Sequence, residues 1–145
     1  MTISFFAVMD EIPRSTHQEK GVRIVRGRPM FYEKKEVAEI RRFYTAIFKA
    51  YRPPQPMNGA VAVRIGFHYP VKRPHKDGEV KETRPDLDNM AKLILDVATS
   101  CGFWSDDGQI ALLQLSKSYS SPSGIRFEAY EMDKRGKRRI EDNEL

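Results

Sequence analysis

The sequence predicts an α+β fold, a single domain in which a mixed β-sheet packs against two main helices. Three observations carry that prediction. Two stretches repeat apolar residues at helical spacing: Val37, Ile40, Tyr44, Ile47, Phe48 and Tyr51 in the first, and Met90, Leu93, Ile94, Val97, Ala98 and Cys101 in the second. Between them Val61, Val63, Ile65, Phe67 and Tyr69 alternate with Ala62, Arg64, Gly66 and His68, the period of a strand with one buried face. A chain of 145 residues suits one core better than two.

The elements follow in chain order. Residues 2–9 (TISFFAVM) form an apolar, aromatic run of strand length, read as a central strand, and a loop interrupted by Pro13 follows. Arg14, Lys20, Arg23, Arg26, Arg28, Lys34 and Lys35 make the segment before the first helix basic. Such a segment suits phosphate contacts, or is simply a solvated surface. The first helix runs from Val37 until Pro53 and Pro54 close it. Pro70 ends the Val61–Tyr69 strand and opens a polar stretch to Pro85, expected to be an exposed, mobile basic loop. The second helix covers residues 87–101, with Gly102 at its C-cap and Phe103 and Trp104 turning the chain back onto the core. Residues 109–119 and 125–130 are strand-like around the turn chemistry of 120–124, which reads as a terminal β-hairpin. The expected domain is residues 1–133, followed by a charged tail over 134–145 that includes KRGKRR at 134–139.

Composition narrows the function. No apolar run approaches the roughly 20 residues of a membrane-spanning helix. The single cysteine, Cys101, has no intrachain partner, and the amino terminus lacks the pattern of a signal peptide, so a reducing cytoplasm is the expected compartment. A formal net charge of +5 favours a polyanionic partner, nucleic acid first.

The chemistry concentrates at Arg84-Pro85-Asp86-Leu87-Asp88-Asn89 and Lys92, on a loop-to-helix junction. Asp88 and Lys92 are four residues apart and share a helix face, while Asp86 sits at the helix start. Asp106 and Asp107 follow the far end of the same helix and precede a strand, so the sequence allows a return of the chain that brings a further carboxylate to the first pair. Aspartates without a cysteine–histidine set suit a hard divalent cation such as Mg²⁺ and disfavour zinc. On a basic protein this points to phosphodiester hydrolysis, with Lys92 neutralising charge on the phosphate. Each residue also has a purely structural use: a helix cap, an i,i+4 pair, an Asp-Asp-Gly turn. The residues alone do not choose between Asp106 and Asp107. His17, His68 and His75 share no metal-ligand spacing, Cys101 reads as a small core residue, and Trp104 reads as a packing anchor.

The series Arg84-Pro85-Asp86-Leu87-Asp88-Asn89, Lys92, Asp96, Gly102-Phe103-Trp104, Asp106-Asp107 and Gln109 closely resembles the signature of the RusA family of Holliday junction resolvases. The resemblance implies a RusA-like domain in a homodimeric, Mg²⁺-dependent endodeoxyribonuclease, of a kind often carried by phages or prophages, that nicks four-way DNA junctions in two strands related by symmetry. Mn²⁺ is the alternative ion. By the same resemblance Asp86, Asp88 and Asp107 are the metal-binding aspartates and Lys92 the essential lysine, with Asp106 a less certain participant. Two symmetric cuts require two sites, which a C2 dimer supplies. Phe5, Phe6, Phe103 and Trp104 are apolar enough for its interface or for the core. Arg14, Arg28, Lys72, Arg73, Lys76 and Arg84 are the candidate DNA contacts. The rival readings are a module that binds branched DNA without cutting it, and a less selective flap or fork nuclease.

Overall fold

The computed structural model describes residues 1–14 and 20–140, the side chains of residues 20 and 31–33 excepted; His17 and the end of the charged tail lie outside. In chain order the elements are β1 (Thr2–Val8), β2 (Lys20–Val25), β3 (Arg28–Glu33), α1 (Lys35–Tyr51), β4 (Val61–Tyr69), α2 (Leu87–Ser100), β5 (Ile110–Tyr119) and β6 (Gly124–Glu131). The main sheet has the order β1-β6-β4-β5, while β2 and β3 form a separate two-stranded hairpin.

β4 occupies the interior of the sheet because its alternating residues fill the core completely: Val61, Val63, Ile65 and Phe67 are all buried. Ile125 and Phe127 of β6 and Phe5 of β1 continue this inner face, against which α1 packs Tyr44 and Phe48 and α2 packs Leu93, Ile94 and Val97. The aromatic centre is edge-to-face, with Phe48 and Phe127 rings 4.9 Å apart at 81°. The opposite face of the sheet is polar, carrying Arg64, His68, Gln114, Arg126 and Glu128 around a shallow depression. One covered and one solvated face make two layers, a mixed sheet packed with two helices in the expected α+β class.

Four expectations about local structure change. Residues 109–131 do not form a hairpin: β4 lies between β5 and β6, pairing parallel with the first and antiparallel with the second. The most apolar strand takes one of the two interior positions, beside β6, and the 120–124 turn carries the chain across it. Parallel neighbours need a crossover, which is the 70–109 segment containing α2. Among the described residues β1 is an edge strand, paired with β6 alone. Its apolar run is explained by Phe5 entering the core while Phe6, on the other face, packs against Arg126 and His68. Within the basic segment, Arg26 and Gly27 at positive φ make a two-residue turn between β2 and β3. Charge masks the alternation of Val22 and Ile24 there.

The 70–85 loop is exposed but anchored. Val80 bridges to Ser118, Gly78 N–H donates to the Tyr119 carbonyl at 2.6 Å, and Lys81 N–H donates to the Lys117 carbonyl at 3.1 Å. The outer edge of β5 supplies the backbone groups that hold it.

α2 ends as Gly102 predicts. Gly102 has φ 85°, its N–H reaches the Thr99 carbonyl, and Phe103 N–H reaches the Ala98 carbonyl, a Schellman arrangement. Phe103 and Trp104 are fully buried, and the Trp104 indole N–H donates to Thr99 Oγ1 at 2.7 Å. With Phe5 they belong to the core of the single chain. Cys101 is buried too, and burial pushes its thiol pKa up. No helix among the described residues is long and apolar enough to cross a membrane. Residues 134–139 remain exposed yet turn back along β6, with Arg139 N–H donating to the Glu131 carbonyl at 2.9 Å.

Candidate active site

The site is built on the crossover. Asp86 is the N-cap residue of α2 in extended conformation, and its side chain makes no capping hydrogen bond. Asp88 lies in the first turn and Lys92 one turn later, all three exposed, while Met90, Ala91, Leu93 and Ile94 bury the opposite side of the helix. Amphipathicity therefore orients this group: the apolar stripe fixes the rotation of α2 and leaves the Asp88–Lys92 face to solvent. The approach to Asp86 is held from β5. Lys117 Nζ donates to the Thr83 carbonyl at 2.6 Å and to the Pro85 carbonyl at 2.9 Å.

Beyond the other end of α2, Asp106 and Asp107 have different employments. Asp106 caps the short 3₁₀ turn Asp107–Gln109: its Oδ1 accepts from Gly108 N–H at 3.0 Å, and Gln109 Oε1 accepts from Asp106 N–H at 3.1 Å. Gln109 also accepts from Ser105 N–H and donates through Nε2 to the Met57 and Gly59 carbonyls at 2.9 and 3.0 Å. Asp106 is thus committed to local structure. The Gly108 N–H and then the Asp107 carboxyl hold its pKa below the usual carboxylate range. Asp107 is pushed above that range by its hydrogen bond to Asp106, by desolvation, and by repulsion from Asp106 and Asp96. Asp96, part of the sequence motif but given no role from it, is therefore close enough to Asp107 for their charges to interact.

The three aspartates singled out in the sequence stand in two groups. Asp86 and Asp88 open α2. Asp107 lies toward Asp96, whose Cα is about 12 Å further along the helix axis than that of Asp88 at 1.5 Å per residue. Among the described residues no three Asp, Glu, His or Cys side chains stand together closely enough to hold a metal ion.

Beside this acidic helix lies a cleft of about 690 Å³. Four of the six candidate DNA contacts, Arg14, Lys72, Arg73 and Arg84, line it. Arg28 stands instead at the β2–β3 turn and Lys76 elsewhere in the 70–85 loop. Sequence reasoning missed the cleft wall made by Tyr69, His75, Lys81 and Tyr119. The available signal was the interleaving of aromatic and basic residues from Tyr69 to Arg84. Burial pushes the Tyr69 phenol up to about 12, so it stays neutral, and its hydroxyl faces Met90 Sδ at 3.3 Å.

Exposed carboxylates and a lysine at the head of a crossover helix, with a cation-lined cleft alongside, define a class of protein built to handle a polyanion. The sequence comparisons specify the class. A family model described as Endodeoxyribonuclease RusA matches residues 12–128. The chain belongs to the RusA family and is an endodeoxyribonuclease. It is similar to the protein of Lactococcus phage r1t named "Crossover junction endodeoxyribonuclease rusA", with 27% identity over 132 residues, covering 91% of this chain and 100% of the relative.

Proposed function

We propose that this endodeoxyribonuclease resolves four-way DNA junctions as a cytoplasmic homodimer, making paired symmetric nicks with Mg²⁺, or Mn²⁺ as the alternative ion. The observation that carries the reading is the head of α2, where Asp86 is spared from capping and Asp88 and Lys92 share an exposed face. The name of the phage relative supports the four-way substrate. Residues 1–133 constitute the nuclease domain in this reading, and 134–145 add charge at its margin.

The donor set suits a hard cation. Mg²⁺ is typically held by one or two carboxylates together with water and substrate phosphate, rather than by an all-protein cage. Two separate groups of aspartates completed by DNA fit that pattern. Asp86 and Asp88 would hold the ion together with DNA phosphate, with Asp107 serving from the second group, and the ion would supply Lewis-acid polarisation of the phosphate and a more acidic water. Lys92 offsets the negative charge that builds on the phosphate. Arg14, Lys72, Arg73 and Arg84 bind the backbone in the cleft, and Lys76 and Arg28 extend the contact outside it. One acidic group per chain and two cuts per junction favour a C2 dimer.

The test is cleavage of a labelled mobile four-way junction by wild type and Asp88→Asn, with Mg²⁺ or EDTA, against a linear duplex. Paired symmetric nicks that need both Mg²⁺ and Asp88 and spare the duplex are expected. Equal cutting of duplex and junction overturns the resolvase assignment, and cutting by Asp88→Asn overturns the metal site.

A further inference from the structure

We propose that Lys81, at the wall of the basic cleft, is the receptor for one backbone phosphate flanking the scissile position on the strand being cut. The identity of that strand rests on the nuclease reading above; the affinity for phosphate does not.

The Lys81 ammonium is oriented before any ligand arrives. It donates to Thr83 Oγ1 at 2.6 Å and reaches the Tyr119 hydroxyl at 3.4 Å. It also stands 5.0 Å from the centre of the Tyr69 ring and 5.2 Å from that of Tyr119, within range of cation–π attraction. An ammonium carries three N–H donors, and the third has no protein acceptor among the described residues. No carboxylate there pairs with Lys81. Glu79, two residues before it, is occupied by His75 Nδ1 at 2.7 Å and by Lys76 N–H. His75 in turn stacks on Tyr119, with ring centres 4.1 Å apart at 7°.

This is a partly buried positive charge held against aromatic walls, oriented before an anion arrives. Arg14, Lys72, Arg73 and Arg84 line the same cleft, and among the described lining residues Asp10 and Glu11 are the acidic counter-charges. Cations gathered without matching acids repel one another, and an anion relieves that repulsion. The position selects the ligand. Arg84 and Pro85 of the cleft immediately precede Asp86, and Lys117 holds the Thr83 and Pro85 carbonyls, so Lys81 and the head of α2 are joined by one short, fastened segment. A phosphodiester continuous with the one at Asp86 fits this arrangement.

The test replaces one phosphate at a time near the cleavage position by a neutral methylphosphonate and measures nicking by wild type, Lys81→Met and Lys81→Arg. At one flanking position the methylphosphonate is expected to slow wild type about tenfold, the size of one lost charge-assisted contact. Lys81→Met is expected to be equally slow on native DNA and indifferent to that replacement, with Lys81→Arg partly restored. Lys81→Met that remains as sensitive as wild type at every position overturns the proposal. A metal-free arm separates this from failure of the nuclease reading. By fluorescence anisotropy with a short labelled single strand in EDTA, the salt dependence of log K should fall by about one in Lys81→Met. Unchanged affinity and slope in a variant with wild-type melting overturn the phosphate receptor itself. Protection by inorganic phosphate that depends on Lys81, without any methylphosphonate dependence on Lys81, assigns the cleft to free phosphate and overturns the strand contact.

Discussion

The two ends of α2 carry the same residue type to opposite purposes. At its head Asp86 occupies the N-cap position, where an aspartate normally accepts a backbone N–H, yet makes no such bond. Beyond its tail Asp106 does accept one, in a capping box with Gln109. The tail is fastened throughout: Trp104 to Thr99, Gln109 to the Met57–Gly59 turn, Asn58 to Glu131. At the head the fastening is done from outside, by Lys117, and the carboxylates are left for other use. In the proposed reading the acidic groups at the head of α2 are kept out of the hydrogen bonds that hold the fold, which Lys117 supplies instead.

The largest effects should come from exchanging the roles of the adjacent pair. Asp107→Ala is expected to reduce junction nicking by more than about 100-fold, as loss of a charge-stabilising group at a reaction centre does, while leaving the melting temperature unchanged or raised. Asp106→Ala should lower the melting temperature through loss of its cap and retain measurable nicking. Parallel nicking assays and thermal melts check both, and the reverse pattern would exchange the two assignments. Next in size is Gln109→Ala, which removes four hydrogen bonds. At roughly 0.5–1 kcal/mol net for each, the loss is about 3 kcal/mol, or about 8 °C in melting temperature for a domain of this size. Urea denaturation with an unchanged m value would attribute it to the native state.

Much of this was legible in the sequence, and for physical reasons. The apolar stripes of α1 and α2 and the alternation of β4 report burial directly, so both helices and the interior strand are found within about two residues of their bounds. The carboxylate group at the head of α2 was visible because Asp86, Asp88 and Lys92 are close along the chain. Strand order was not visible: 120–124 has turn chemistry whether or not β5 and β6 pair, and only competition for the interior position places β4 between them. The separate employments of Asp106 and Asp107 were equally hidden, since they depend on Gln109 reaching Met57 and Gly59, some fifty residues away. The wall at Lys81 escaped because its partners Tyr69 and Tyr119 come from different strands.

Lys117 sharpens the comparison at the head of α2. Lys117→Met should release the Thr83 and Pro85 carbonyls and weaken Mg²⁺ binding and nicking together by about tenfold, equivalent to about 1.4 kcal/mol of lost positioning. Lys117→Arg should recover part of both. Calorimetric titration with Mg²⁺ alongside the nicking assay separates this from a general loss of fold, which would lower the melting temperature without rescue by arginine.

The smallest effect tests the fastened end by pH. Partial burial alone would raise the Glu131 pKa, but the Asn58 N–H, the N-terminal ammonium and Arg139 outweigh it and hold the carboxyl below the usual range. A group with a depressed folded-state pKa adds stability that is present above its unfolded value and is lost as the pH falls through the folded one. Stability from Glu131 is therefore expected in full near neutrality and should decline on acidification through the carboxylate range. Glu131→Gln removes the charge and should be less stable than wild type at pH 7, with the gap closing as the pH falls toward 3. A gap that stays constant would mean that Glu131 holds Asn58 by shape and hydrogen bonding alone. Because Asn58 sits within the Met57–Gly59 turn that Gln109 grips from the other side, the Glu131→Gln and Gln109→Ala losses should also be non-additive. Non-additivity would identify that turn as the shared support on which Asp107 is carried.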